Sequence, residues 1–307
     1  RLDAQGNFGG AWSYNENIAM TMPSWPSAND WAFQWIADCG LPDRGHRNKM
    51  MEDKSVIIQD LNILENLDFS FFAVFDGHGG TSCVRHVAEY LPSVFRENFL
   101  KSESPELEMY EAQEGLYSTV KRIMLQSIQE TDLYFFEENG EYALDKGCTA
   151  VIVMIVGDRV ICCNIGDSRA ILSRKKKPIC LSKDHKPTDP SEKERIQNAG
   201  GKVEADRVNG ILATSRSFGD FKFKVVGNQT DCFKTQGNGE DIVTSKPDIR
   251  IHTIDWSQDE FIVIGCDGLF DNLSNTEIIK FVHDGLAEYE IGCQDTQKVV
   301  ADLVKYA

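Results

Sequence analysis

Three apolar, strand-like runs in this chain end on aspartate: FFAVFDGHGG at Asp76, VICCNIGDSRA at Asp167, and FIVIGCDGLFD at Asp267 and Asp271. A further acidic pair, Glu52-Asp53, stands directly before the run KSVII. A buried strand has no packing use for a carboxylate at its tip. One Asp-Gly ending is ordinarily a turn, because Asp bonds its own backbone and Gly accepts tight geometry. Several such endings in one chain are harder to read that way. If the sheets gather these tips, the carboxylates repel one another unless cations sit among them. Oxygen-rich sites of this kind suit Mg²⁺ or Mn²⁺. Glycine beside the acid lets a carbonyl or a water approach closely. Two such ions can activate a bridging water and clamp a phosphoryl oxygen.

The rest of the composition sets limits. The 307 residues suit one large domain or two small ones. A formal net charge of −16 argues against a general nucleic-acid surface. It is compatible with cation-binding carboxylates, although most of the excess acid is expected to be solvated surface. No apolar run approaches the length needed to span a bilayer. The start, RLDAQGNFGGAW, has no apolar core of a signal peptide and no Met, so a preceding segment is expected. Nine cysteines lie scattered with no C-x-x-C pair, which disfavours a zinc ribbon. With no secretion signal they read as reduced thiols serving as small core residues.

Along the chain, WAFQWIADCG, KSVII and LDFSFFAVFD read as strands, and TSCVRHVAEYLPSVF and residues 115–139 as amphipathic helices. The segment 147–181 reads as three strands with turns at Gly157-Asp158 and Ser173–Pro178. DPSEKERIQNAGG reads as a short helix with Asp189, Pro190 and Ser191 near its start. The polar, Gly-bearing stretch after SRSFGD, about 221–245, reads as a mobile flap. DEFIVIGCDGLFD is another buried strand, and SNTEIIKFVHDGLAEY and DTQKVVADLVKYA are helices. Antiparallel runs of strands and paired helices give an α+β class with layered sheets.

In family order, the segments MEDKSV, FFAVFDGHGG, GCTAVIVMI, CNIGDSRAIL, KDHKPTDPSEKERIQNAGGKV, RVNGILATSRSFGDF and DEFIVIGCDGLFDNLSN resemble the metal-dependent Ser/Thr protein phosphatases of type 2C. The resemblance covers roughly residues 44–307, leaving 1–43 as an N-terminal extension that contributes a strand. It implies a four-layer α-β-β-α sandwich, two packed antiparallel sheets flanked by helix pairs, with the site in a cleft at one edge. It implies that Asp76 bridges two Mg²⁺ or Mn²⁺ ions, with Glu52 and the Gly77 carbonyl on one and Asp267 on the other. Asp167 matches a weaker third-metal position, shared with Asp267. His78 matches the general acid, with a structural histidine bonding a carboxylate as the alternative. Asp53 and Asp271 would orient metal-bound waters. Arg216 would brace the site through ion pairs, and His185 would be structural.

The match departs from the family pattern in places. The arginine expected four residues before the metal-binding Glu is replaced by Asn48. Arg47 is the candidate phosphate contact if the extra Met makes a bulge, with Arg44 as the alternative. Cys148 stands where Ser is usual. The flap varies within the family and names no substrate. The family's last metal-binding Asp and its closing strand lie beyond Ala307, so the C-terminal end is expected to be incomplete. SRKKKP at 173–178 reads as a hairpin turn or a nuclear signal. The expected activity is hydrolysis of phosphoserine and phosphothreonine by direct attack of metal-bound hydroxide. A catalytically impaired scaffold is the rival reading, and a metal-dependent nuclease a remote one given the absence of basic stripes. The partners implied are phosphorylated proteins, without nucleic acid or membrane span. An intracellular monomer is expected, cytoplasmic with nuclear as the alternative.

Overall fold

The computed structural model describes residues 18–23, 31–36, 52–64, 67–102, 113–224, 240–288 and 293–307. In chain order its elements are β1 (Ile18–Pro23), β2 (Trp31–Ile36), β3 (Lys54–Ile58), β4 (Phe69–Phe75), β5 (Gly77–His78), α1 (Ser82–Lys101) and α2 (Gln113–Asn139). Next come β6 (Gly147–Cys148), β7 (Ala150–Val156), β8 (Arg159–Ile165), β9 (Arg169–Arg174), β10 (Lys177–Cys180) and α3 (Pro190–Asn198). The remainder is β11 (Val203–Glu204), β12 (Arg207–Val208), β13 (Phe218–Gly219), β14 (Asp248–Thr253), β15 (Asp259–Gly265), α4 (Asp267–Phe270), α5 (Asn275–Glu288) and α6 (Cys293–Tyr306).

Two five-stranded antiparallel sheets carry the fold, in the orders β14-β8-β7-β4-β3 and β10-β9-β15-β1-β2. The alternation of strand side chains explains their stacking. In β4, Phe69, Phe71, Ala73 and Phe75 face helices α1 and α2, whereas Phe72 and Val74 face the other sheet. In β15, Ile262 and Ile264 join that inter-sheet core, whereas Phe261 and Val263 face α5 and α6. The layers are therefore helix pair, sheet, sheet, helix pair, which is the four-layer sandwich implied by the sequence. Helix α1 packs through Val84, Val87, Leu91, Phe95 and Phe99, spaced as one helical face requires. Each such side chain, fully enclosed, contributes about 1.5–3 kcal/mol.

The segment read as three strands holds four, β7 to β10, after the two-residue β6. The turn placed over Ser173–Pro178 is only Lys175-Lys176, both with positive φ (50° and 59°). Two left-handed residues in succession make a tight hairpin whose twist matches the strands. Their amides bond to the neighbouring β15 region, Lys175 to the Gln258 carbonyl and Lys176 to Glu260. No Gly or Asn announces this turn. The ends of the expected flap are anchored: Phe221, Phe223, Lys224, Ile242 and Val243 are buried. Its body, 225–239, lies outside the described residues. Helix α3 starts as its sequence requires, with Asp189 accepting from the Ser191 amide and Pro190 in the first turn.

Candidate active site

Every residue of β4 is buried, and the strand delivers Asp76 at its end. The β3–β4 register pairs Lys54 with Phe75, so Asp53 comes level with Asp76. A Cβ at residue 77 would collide with the Glu52 carbonyl oxygen, so only glycine lets these two segments touch. The Gly77 amide donates to Asp53 at 3.4 Å. Asp167 follows β8, and Asp267 opens α4 directly after β15. Ligand atoms of Asp76, Cys266 and Asp267 lie within 4.8 Å of one another. Burial, then the charges of Asp53, Asp267 and Asp167, push the Asp76 carboxyl well above the usual range. Burial also raises Asp167, although Lys186, donating to it at 2.8 Å, opposes this.

These donors suit a hard divalent cation: several carboxylates crowd one point with too little positive charge to balance them. Cys266 is a soft donor whose side chain belongs to the inter-sheet core.

Beside Asp76, a three-stranded ladder runs β13-β6-β5. In it Gly147 pairs with His78 on one side and Gly219 on the other. A Cβ at Gly147 would collide with both His78 Nε2 and Asp220 Oδ2, so its bare backbone makes room for their 2.7 Å contact. Asp220 is left-handed (φ 51°), a region Asp tolerates better than most residues. It also accepts from Ser217 Oγ at 2.6 Å. Burial alone would lower the His78 pKa, but Asp220 outweighs it and the imidazole is raised above its ordinary value. Burial would raise Asp220, yet His78, Ser217 and Lys224 together hold it below the usual carboxylate range.

Against this geometry, a family model described as "Protein phosphatase 2C" matches residues 37–307. The chain belongs to the protein phosphatase 2C family. It is 38% identical to "Probable protein phosphatase 2C 6" of Paramecium tetraurelia over 264 residues, 85% of this chain and 82% of that one. It is 35% identical to "Protein phosphatase 1B" of Rattus norvegicus, covering 79% of this chain and 60% of the relative. The solved structure of a serine-threonine phosphatase 2C from Toxoplasma gondii shares the fold with a TM-score of 0.65 at 20% identity, over 84% of this chain and 87% of that one. Protein phosphatases 2C are metal-dependent, in keeping with the carboxylate cluster.

The phosphatase 2C site residues named from sequence fall into distinct places. Asp76, Asp267, Asp167 and Asp53 converge. Glu52 stands outside the tight donor group among the described residues, although its charge reaches His78. Asp271 is exposed at the end of α4, and its charge is felt by Lys186 and Arg169. Arg216 is engaged in ion pairs, bonded to Glu192 at 2.6 Å and to Asp248 at 3.0 Å, and its carbonyl lies close to Gly166, the residue before Asp167. Arg44, Arg47 and Asn48 lie outside the described residues. Asp220 and Lys186 were not singled out from the sequence. The one signal for Asp220 was its position in SRSFGDF, where an acid follows glycine as Asp76 precedes one.

Among the described residues no helix is long and apolar enough to cross a membrane. Cys83, Cys148, Cys162, Cys163, Cys180 and Cys266 are free thiols, and all but Cys180 are buried.

Proposed function

We propose that this chain hydrolyses phosphoserine and phosphothreonine in proteins by direct attack of water on phosphorus, with no phospho-enzyme. The observation that carries the reading is the convergence of Asp53, Asp167 and Asp267 on Asp76. Asp76 and Asp267, with Glu52 and the Gly77 carbonyl, would hold two Mg²⁺ or Mn²⁺ ions, and Asp167 a weaker third. Bound there, a divalent cation supplies Lewis-acid chemistry, lowering the pKa of a water and drawing charge from phosphoryl oxygens. His78, partly exposed beside this cluster, gives a proton to the departing serine or threonine oxygen. Asp53 and Asp271 orient groups around the cluster through hydrogen bonds. Arg47 is assigned to the substrate phosphate from the sequence.

The test is phosphate release from phosphoserine and phosphothreonine peptides with Mn²⁺ and with excess chelator, beside calorimetric titration of Mn²⁺ into the protein. Release that needs Mn²⁺ supports the reading. Release indifferent to chelator would overturn the metal assignment. Mn²⁺ binding without release from any phosphopeptide would favour a binding scaffold.

A further inference from the structure

The ladder beside Asp76 holds more than an acid. His78 Nε2 meets Asp220 Oδ2 at 2.7 Å, and the carboxylate is almost wholly enclosed, its side chain 3% exposed against 31% for the imidazole. Water therefore competes poorly for this bond, and a charge-assisted bond in such surroundings is strong. Asp220 is itself held from several directions. Its amide donates to the Lys146 carbonyl at 2.7 Å, and its carboxylate accepts from Ser217 Oγ. The preceding Gly219 amide donates to Asp132 at 2.7 Å. Asp132 is paired with the buried Lys224 at 2.6 Å, and Lys224 also donates to the Ser217 carbonyl at 2.9 Å. None of Asp220, Asp132 and Lys224 belongs to the tight donor group of Asp76, Cys266 and Asp267.

We infer that Asp220 is a positioning residue for the phosphatase reaction: it fixes the proton of neutral His78 on Nε2, so that Nδ1 is the nitrogen that protonates the leaving oxygen. The inference rests on the general-acid reading of His78. In the step, the attacking water's oxygen bonds to phosphorus, the bond from phosphorus to the serine or threonine oxygen breaks, and that oxygen takes the Nδ1 proton. The ring is left neutral with its remaining proton on Nε2, still donated to Asp220. The proton released by the attacking water restores the ring. Without Asp220 the neutral ring has no reason to prefer that tautomer, and the imidazolium loses its counter-charge. Residues Ser217, Asp132 and Lys224 keep Asp220 in place.

Two measurements test this, and the first needs neither activity nor a variant. Proton–nitrogen correlation spectra of the histidine rings, in metal-free protein at a pH where His78 is neutral, are expected to show His78 protonated on Nε2. A His78 protonated on Nδ1 would overturn the inference even if the chain proves to be a phosphatase. The second compares D220N with wild type on a phosphoserine peptide and on p-nitrophenyl phosphate. Loss of acid catalysis is expected to cost about 10²-fold or more on the peptide. The aryl ester, whose leaving group departs without a proton, should lose less than about threefold by the same reasoning. The double variant H78A/D220N should be no slower than H78A alone. Equal losses on both substrates, or additive losses in the double variant, would make Asp220 a structural residue and overturn the assignment. If D220N does not fold, as circular dichroism would show, the ring spectra of wild type decide alone.

Discussion

Asp76 and Glu192 are both carboxylates drawn into the protein, and their surroundings push them in opposite directions. Around Asp76, burial and three further acids raise the pKa well above normal. Glu192, 3% exposed, would also be raised by burial, but Arg216, Arg195 and Ser215 bring it down to about 2. Arg216 donates to it at 2.6 and 3.1 Å, Arg195 at 3.0 and 3.2 Å, and Ser215 at 2.7 Å. The corner around α3 thus contains its own counter-charges and is complete as a structure. The strand tips carry more negative charge than Lys186 alone balances. One residue type is stabilising where it is matched and is left open to a cation where it is not.

Removing the match should give the largest effect. Arg216→Ala leaves Glu192 with Arg195 and Ser215 and takes a partner from Asp248. Breaking a buried pair on one side costs about 3–5 kcal/mol. The remaining Arg195 contact places the expected loss near the lower end of that range, read from denaturant unfolding. A loss below about 1 kcal/mol, as for an exposed pair, would erase the contrast between the two regions. Asp76→Asn should do the reverse, costing turnover and not the fold. Hydrolysis should fall at least 10–100-fold, about the scale for groups that merely support a metal site. The metal-free melting temperature should stay level or rise, because a mutually repelling charge is gone. A variant retaining more than about a tenth of wild-type turnover would remove Asp76 from the centre of the site.

Acid sharpens the comparison on the stability side. Glu192 has its folded pKa depressed from 4.5 to about 2, and Asp248 is lowered as well, first by His185, whose Nε2 lies 3.3 Å from its carboxylate. The unfolded chain then binds more protons than the folded one between those values, so stability rises with pH there. The contribution is fully present above about pH 4.5 and is lost as pH falls toward about 2. Unfolding midpoints measured from pH 6 down to pH 3 should fall more steeply for wild type than for Arg216→Ala. Parallel curves would mean Arg216 is not what depresses Glu192. The smallest effect is expected at Cys148→Ser, where Cys83 Sγ lies 3.9 Å from Cys148 Sγ and can serve a hydroxyl as a weak donor. Stability should change by less than about 1.5 kcal/mol and turnover not at all.

The acids at strand tips were legible because a buried strand ending in carboxylate is at odds with its own packing, and the layered sheets followed from alternation in runs such as Phe69–Phe75. The Asp189 cap of α3 was legible because its bonds are local, two residues away. His78 and Asp220 are 142 residues apart and are joined through strands of two residues each. Such short pairings have no periodicity to detect, and nothing local marks Asp220 as the partner of a histidine. The Lys175-Lys176 turn was rightly located but drawn too wide, over Ser173–Pro178, for a related reason: its left-handed pair is held by bonds to residues near β15, far along the chain.

That same ladder has a consequence for how the protein comes together. Its rungs draw on residues 77–78, 147–148 and 218–219, so none of it can close until distant parts of the chain have met. Contacts of such long sequence separation demand loop closure before they return any energy, and they form late. The long sheets share this burden, since β1 pairs with β15 from near the other end of the chain, whereas each helix closes on local bonds alone. On refolding, helix content should therefore precede turnover, which waits for Asp220 to be seated behind His78.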